Sequence, residues 1–260
     1  MEIQILNRKF NYLSLFVRLC DLVKIFIFSL KLKSSFTLFN CYLKQYSPPG
    51  NYLTFKNGIK IYFSSHKHDI ITFMTIFGKR EYGKIPKNSF IIDIGANIGV
   101  FTLYAIINGA KKVLAYEPSK EAFKFLSKNI MLNNFQNYTF LENKAVTSKD
   151  EDFVFISKQS SPYNQIYYSQ DNSLTLQKVE TISLNKIISA FDHKIDILKI
   201  DCEGLELDIL KTLQKEYINR ICEIRLEYHR NKKELFDLLN SYGFSLIHEK
   251  YCVAWFKNLN

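Results

Sequence analysis

Glycine and proline are scarce in this 260-residue chain, at nine and five residues. That excludes collagen-like and linker-rich architectures, which need far more of both. The five cysteines (Cys20, Cys41, Cys202, Cys222 and Cys252) are odd in number and form no C-x-x-C pair. A disulfide scaffold has no support in that pattern, and a reduced intracellular protein is the simplest expectation. No uncharged run approaches the roughly 18 residues that a membrane span needs. Internal repeats and low-complexity tracts are also missing. What is present is length enough to bury roughly three-quarters of the unfolded surface. Aromatic residues make up 15% of the chain, and this core material excludes wholesale disorder.

The net charge is +10, from 35 basic and 25 acidic side chains. Residues 1–50 hold seven basic residues against two acidic ones, a local +5, and the other 210 residues hold 28 against 23. A basic excess suits nucleic acid, an anionic membrane or an acidic substrate. Beyond the N-terminal segment the lysines are scattered rather than clustered, which fits a solubilising surface and points away from a nucleic-acid partner.

Residues 10–33 have the pattern of an amphipathic helix. Leu13, Phe16, Cys20, Val23, Ile27 and Leu30 recur at steps of three and four, and Leu15, Leu19, Leu22 and Phe26 widen that face. No small-residue cleavage site follows the apolar part, so a signal peptide is not expected. The helix is expected either to cap the main domain or to lie on a membrane surface. Ser47-Pro-Pro-Gly50 then breaks the chain. Tyr52 to Phe63 reads as a hairpin about Asn57-Gly58, a pair suited to a type I′ turn.

From residue 90 the rhythm changes to buried strands alternating with amphipathic helices, the pattern of a parallel α/β sheet. Strands are expected at 90–94, 112–117, 138–146, 196–200 and 222–228, with a closing pair at 244–248 and 252–256. Two further short strands flank a Ser/Gln/Tyr-rich insertion at 157–177. The predicted boundaries are an N-terminal helical extension (1–50), a hairpin and lead-in (51–89) and a catalytic domain (90–260).

Asp93-Ile-Gly95-Ala-Asn97-Ile-Gly99 follows the first buried strand and opens a helix. Glycines there allow a tight turn and a close backbone approach to a ligand, and the helix start offers unpaired N–H donors. The spacing is G-x-x-x-G, not the G-x-G-x-x-G that cradles a dinucleotide pyrophosphate. A ligand without phosphate is favoured, and S-adenosylmethionine fits. Its carboxylate can take N–H donors and Asp93 suits its ammonium group. Short glycine patterns also recur in ordinary tight turns. Glu117, 22 residues after Gly95 at the tip of the next strand, suits ribose hydroxyls.

Lys199-Ile-Asp201-Cys-Glu203-Gly204-Leu-Glu206 ends a later strand, on the sheet edge where ligands bind in open α/β folds. Asp201 and Glu203 can point into one crevice. They also suit a helix N-terminus or a divalent-metal site, although no third ligand follows from the spacing, so no metal is assigned. Glu227-Tyr-His229 leaves the next strand, and a histidine there is easily poised near neutral pH. Ser160-Ser-Pro-Tyr163 is a weak match to the signature of DNA amino methyltransferases. It holds one proline and follows the wrong strand, and it is set aside.

Taken together, IIDIGANIGVFTLYA (91–105), VLAYEPSKEAFKFLSKNIMLNN (113–134), NKAV (143–146), ISLNKII with DILKIDCEGLELDILK (182–211) and EYH (227–229) resemble the FkbM-type S-adenosylmethionine-dependent methyltransferases. The resemblance covers about residues 80–258. It implies a Rossmann-like class I methyltransferase sandwich, with a seven-stranded, mostly parallel sheet closed by an antiparallel hairpin. It also implies methyl transfer to a hydroxyl of a sugar, glycolipid or secondary metabolite. By this resemblance Asp93, Gly95, Asn97, Gly99 and Glu117 line the cofactor site, Asn143 and Ala145 lie near the adenine, and Tyr82 closes over the cofactor. His229, Asp201 and Glu203 are expected around the transferred methyl, with His229 the favoured base. The expected partner is a small-molecule, glycan or lipid-linked acceptor, with peripheral membrane contact through residues 10–33 and a cytoplasmic location. A nucleic-acid methyltransferase and a non-catalytic cofactor-binding scaffold are the alternatives.

Overall fold

The structure, a computed structural model, describes residues 2–5, 8–64, 66–150, 153–157, 166–167 and 176–259. The side chains of Leu13, Leu15 and Phe16, and the Ser160-Ser-Pro-Tyr163 segment, lie outside that description. The chain divides into two units, Met1–Arg80 and Glu81–Asn260. The division falls at 80/81 rather than at the sequence-predicted 50 and 89. Its cause is that residues 51–80 share a core with the N-terminal helices.

The first unit contains β1 (Glu2–Ile5) and β2 (Arg8–Asn11), an antiparallel pair, then α1 (Tyr12–Ser29) and α2 (Ser35–Lys44). A hairpin follows, β3 (Tyr52–Thr54) and β4 (Lys60–Tyr62), then α3 (His68–Phe73), which runs on into a wider π turn at Met74–Gly78. The hairpin is tied to the end of α1. Lys33 N donates to Thr54 O and Lys56 N to Lys31 O, both at 2.9 Å. Phe55 then joins Phe28, Phe73 and Phe77 in one aromatic cluster. Gly58 N donates to Phe55 O, and Gly58 has a positive φ while Asn57 does not. A type I′ turn needs both residues left-handed. The turn is instead type I followed by a left-handed glycine.

Helix α1 differs from its sequence reading in the face it buries. The expected stripe through Val23, Ile27 and Leu30 is about half exposed, and the buried side carries Asp21, Ile25, Phe28 and Ser29. From Leu19 onward this helix is apolar around most of its circumference, so periodicity alone does not single out a face. The aromatic cluster selects Phe28. Gly78 selects Ile25, because a Cβ there would stand 3.3 Å from the Ile25 side chain.

In the second unit come β5 (Phe90–Ile94), α4 (Val100–Ile107), β6 (Lys112–Tyr116), α5 (Lys120–Leu132), β7 (Thr139–Glu142), β8 (Ala145–Thr147), β9 (Val154–Ser157), β10 (Ile166–Tyr167), β11 (Leu176–Val179) and β12 (Thr181–Ser183). They continue through α6 (Leu184–Ser189), β13 (Ile195–Ile200), α7 (Glu206–Lys211), α8 (Lys215–Ile218), β14 (Ile221–Glu227), α9 (Lys232–Ser241), β15 (Phe244–Lys250) and β16 (Val253–Asn258). The central sheet has the order β15-β16-β14-β13-β5-β6-β7. Five neighbouring strands, β14 to β7, are parallel, and β16 and β15 close the sheet antiparallel. This is the Rossmann-like methyltransferase sheet expected from the sequence. The strand expected at 138–146 breaks at Asn143-Lys144, and its second half, β8, pairs with β12 in a separate small sheet.

Strand order reverses between β5 and β13, and a crevice opens beyond the carboxyl ends of strands at such a point. Register then sets the chemistry beneath it. Asp93 on β5 pairs with Lys199 on β13, Lys199 with Arg225 on β14, and Arg225 with Trp255 on β16. Paired residues point to one face, so these four form a transverse row just under the switch point.

Candidate functional site

The turn after β5 is built by close approach. An added Cβ on Gly95 would stand 1.8 Å from the Asp201 carbonyl oxygen, and Gly95 has a φ of +73°. Only glycine fits both conditions. Gly95 N and Ala96 N both donate to Tyr116 O at 3.0 Å, which binds the turn to the tip of β6. Gly99 caps α4, and Leu103 N to Gly99 O is its first helical bond. The N–H groups of residues 100–102 therefore have no intrahelical partners.

Glu117 is buried at the tip of β6. One of its oxygens accepts from Asn97 N and the other from Ser119 N, each at 2.8 Å. Burial dominates over these bonds and lifts its pKa to about 7. Asn143 steadies the same tip by donating to Glu117 O at 2.8 Å and Pro118 O at 3.0 Å. It supports the loop that carries Glu117.

Two expected cofactor contacts are corrected. Asp93 is fully buried, with one oxygen 3.0 Å from Lys199 Nζ and the other accepting from Thr102 Oγ1 at 2.6 Å. It lies one layer below the crevice and acts through Lys199 rather than by touching a ligand. Ala145 is 1% exposed in an apolar cluster with Val154, Ile156 and Val179, because β8 turns away from the main sheet. Its side chain does not open to the crevice.

Lys199 was not singled out by the sequence reading. It is a buried lysine flanked by Leu198 and Ile200 in a mostly apolar strand, and that anomaly was its available signal. Its ammonium pairs with Asp93, lies 3.8 Å from Asp201 Oδ2, and donates to Ile94 O at 3.1 Å and Gly95 O at 2.7 Å. Burial works against its charge, but the two aspartates outweigh burial and its pKa rises. Lys199 thus clamps the glycine turn from beneath. Arg225 was missed for the same reason. Its guanidinium donates to Tyr82 O and Lys84 O, binds Glu223 at 2.6 Å, and lies over the Trp255 ring. Trp255 Nε1 donates to Glu81 O, and Tyr104 Oη to Gly83 O. Three side chains so pin residues 81–84. Tyr82 is held with its hydroxyl 3.5 Å from Asp201 Oδ2, at the outer limit of a hydrogen bond.

The structure brings Asp201, Glu203 and His229 together. His229 Nε2 lies 3.3 Å from Glu203, and its Nδ1 lies 3.0 Å from Glu206 Oε1. Glu206 is a further residue the sequence reading passed over. It is 2% exposed and also accepts from Cys202 N and Gly204 N. Burial raises its pKa, but His229 and the Gly204 N–H outweigh that and lower it. Glu206 bonding and the neighbouring carboxylates raise His229 to about 9, against the opposing effect of burial. Glu203 and Glu227 are lifted to about 7, chiefly by burial. Glu227 ends β14, and its side chain makes no hydrogen bond or ion pair among the described residues. One ligand atom each from Asp201, Glu203 and His229 lie within 4.8 Å of one another, close enough to share a divalent ion.

Around the crevice stand five carboxyl groups (Glu117, Asp201, Glu203, Glu206 and Glu227) and the cationic His229, with the Asp93–Lys199 pair buried beneath them. Such a donor set suits a positively charged ligand and repels phosphate.

The methyltransferase FkbM domain pattern matches residues 93–246. Among curated proteins, Methyltransferase 1 of Beauveria bassiana is 24% identical over 194 residues, spanning 65% of this chain and 78% of that protein. Methyltransferase sdnD of Sordaria araneosa is 23% identical over 204 residues, spanning 65% and 79%. Among solved structures, the methyltransferase FkbM of Methylobacillus flagellatus KT aligns with a TM-score of 0.47 at 14% identity, covering 94% of this chain and 60% of that one.

Proposed function

The chain belongs to the FkbM methyltransferase domain family, and from that premise we propose that it moves a methyl group from S-adenosylmethionine to a hydroxyl of a sugar, glycolipid or secondary metabolite. The observation that carries this reading is the acid-rich crevice at the switch point. Its carboxyls complement a cationic sulfonium with an ammonium group, and the Gly95 turn and the free N–H groups of α4 complement a carboxylate. Glu117, at the tip of β6, retains unused lone pairs for ribose hydroxyls. When bound, the cofactor supplies an electrophilic methyl on sulfur.

A hydroxyl acceptor must lose its proton as it attacks, so a base is needed. By sequence position His229 is the first choice. With a pKa near 9 and carboxylates at both ring nitrogens, it is imidazolium at neutral pH and has no lone pair to offer. We therefore assign proton acceptance to Glu227, whose carboxylate has no competing partner and ionises near 7. His229 and Glu203 hold the acceptor side of the crevice, and Asp201 orients the acceptor or the cofactor beside Tyr82. A lipid-linked or small glycan acceptor fits the acidic crevice better than nucleic acid does, because phosphates would meet like charge.

Labelled methyl transfer to glycan, lipid and RNA fractions tests the acceptor class. Turnover is expected to rise with pH through about 7 and then level. Glu227→Gln should lower turnover by about 10²–10⁴ with cofactor affinity nearly intact. A midpoint near 9 that disappears in His229→Ala would return the base to His229. Loss of activity in a chelator, restored by a divalent ion, would make Asp201, Glu203 and His229 metal ligands instead.

A further inference from the structure

The N-terminal unit carries a surface that the crevice chemistry does not use. On α1, Leu19, Val23, Phe26 and Ile27, with Leu30 just past its end, are each 47–59% exposed and follow one stripe. On α2, Phe36 is 74% exposed. The helix is packed all the same, since Ile25 and Phe28 on its other side are buried. Its apolar content exceeds what the core of the unit takes up. A contiguous apolar ridge of this kind marks an interaction surface.

Charge identifies what covers it. Residues 1–80 hold twelve basic and three acidic residues, a net +9, so this unit carries nearly all of the +10 of the chain. From residue 22 to 68 there are seven lysines and no acidic residue. The two acids bounding that stretch are withdrawn from the surface. Asp21 is 4% exposed beside Lys24, and Asp69 is 6% exposed and accepts from the Ser64 amide and hydroxyl at 2.7 and 2.6 Å. Lys24, Lys31, Lys33 and Lys44, on and next to the two helices, are all exposed. No helix among the described residues is long and apolar enough to cross a membrane.

We propose that the α1–α2 surface of the N-terminal unit docks on an anionic lipid bilayer, with the apolar ridge entering the headgroup–acyl boundary and the lysines meeting lipid phosphates. Helices that lie in an interface combine these two features, an apolar face and a basic border. A nucleic acid would satisfy the lysines and leave branched aliphatic side chains in water. A second copy would cover the ridge but set +9 against +9. The bilayer satisfies both. This inference does not depend on the methyl-transfer reading.

The full chain is tested by sedimentation with phosphatidylcholine vesicles, with and without phosphatidylglycerol, at low and physiological salt. Binding is expected only with the anionic lipid and is expected to weaken as salt rises. The pairs Phe26→Ser/Ile27→Ser and Lys31→Glu/Lys33→Glu should each lower vesicle partition roughly tenfold or more. Thermal melting and cofactor affinity, measured in parallel, are expected to match the parent and so verify folding. A parent protein that stays in the supernatant with anionic vesicles at low salt overturns the proposal. So does partition lost in the lysine pair but kept in the apolar pair, together with tighter binding to homopolymeric RNA. A parent that sediments as a dimer, and becomes a monomer in the apolar pair, assigns the ridge to a second copy instead.

Discussion

Residues 1–80 carry twelve basic and three acidic side chains, whereas residues 81–260 carry 23 and 22. In the first unit Asp21 and Asp69 are buried, while the lysines on and next to the two helices and the apolar ridge face outward. In the second, carboxyls converge on one crevice, and its strongest cation, Lys199, lies beneath them at 3% exposure. The contrast shows that the overall +10 belongs almost wholly to the first unit. The partners proposed for them differ accordingly, an extended anionic surface for one unit and a small cation for the other. A single net charge would have assigned one partner to both.

The sharpest way to break that contrast is to remove the buried cation of the second unit. Lys199→Met leaves Asp93 fully buried without its partner, and breaking a buried pair costs about 3–5 kcal/mol. Denaturant melts should register that loss, and Asp93→Asn in the same chain should recover part of it by coupling. An unchanged midpoint would mean that the transverse row contributes nothing to the sheet.

A smaller effect separates the cationic cofactor from its uncharged product. Burial lifts Glu117, Glu203 and Glu227 to about 7, so they ionise across neutrality. Calorimetry should find affinity for S-adenosylmethionine rising between pH 6 and 8, by about tenfold per unit of pKa coupling. S-adenosylhomocysteine, without the sulfonium charge, should change less. Stability of the second unit runs the other way. Acids with raised pKa values favour the fold below their unfolded pKa and oppose it as pH climbs to about 7. The His229 ion pairs stabilise below its unfolded pKa, and that contribution is lost as pH rises through about 9. The ligand-free protein should therefore melt lower at pH 9 than at pH 5.

The smallest effect lies on the ridge. Ile27→Ala, on the exposed side of α1, should change stability by no more than about 0.5 kcal/mol. Ile25→Ala, one position away from Phe26 but fully buried, should cost about 2–5 kcal/mol. Equal costs would mean that the ridge is covered by the protein itself.

The sequence made the strand–glycine turn–helix–strand order and the tip carboxylate readable because each signal is local. Gly95, Asn97, Gly99 and Glu117 lie within 23 residues and stand where their spacing puts them. Asp201, Glu203 and His229 were readable as a group because strand ends of a parallel sheet converge on one edge. The tasks of Lys199 and Arg225 were not readable. Their partners, Asp93 and the 82–84 backbone, lie more than a hundred residues away, the first brought in by strand register and the second by the path of a loop. The buried face of α1 was not readable either, because a helix apolar nearly all round takes its orientation from the cluster it meets. The role of His229 depended on Glu206, whose side chain looks in sequence like one more acid at a helix start.

The contact between the Gly95 turn and the Asp201 carbonyl leaves no slack at the switch point. An added Cβ at position 95 would stand 1.8 Å from that oxygen, and the atoms it meets are backbone, which cannot swing aside as the end of a side chain does. Any side chain at position 95 must therefore displace the loop that begins at Asp201.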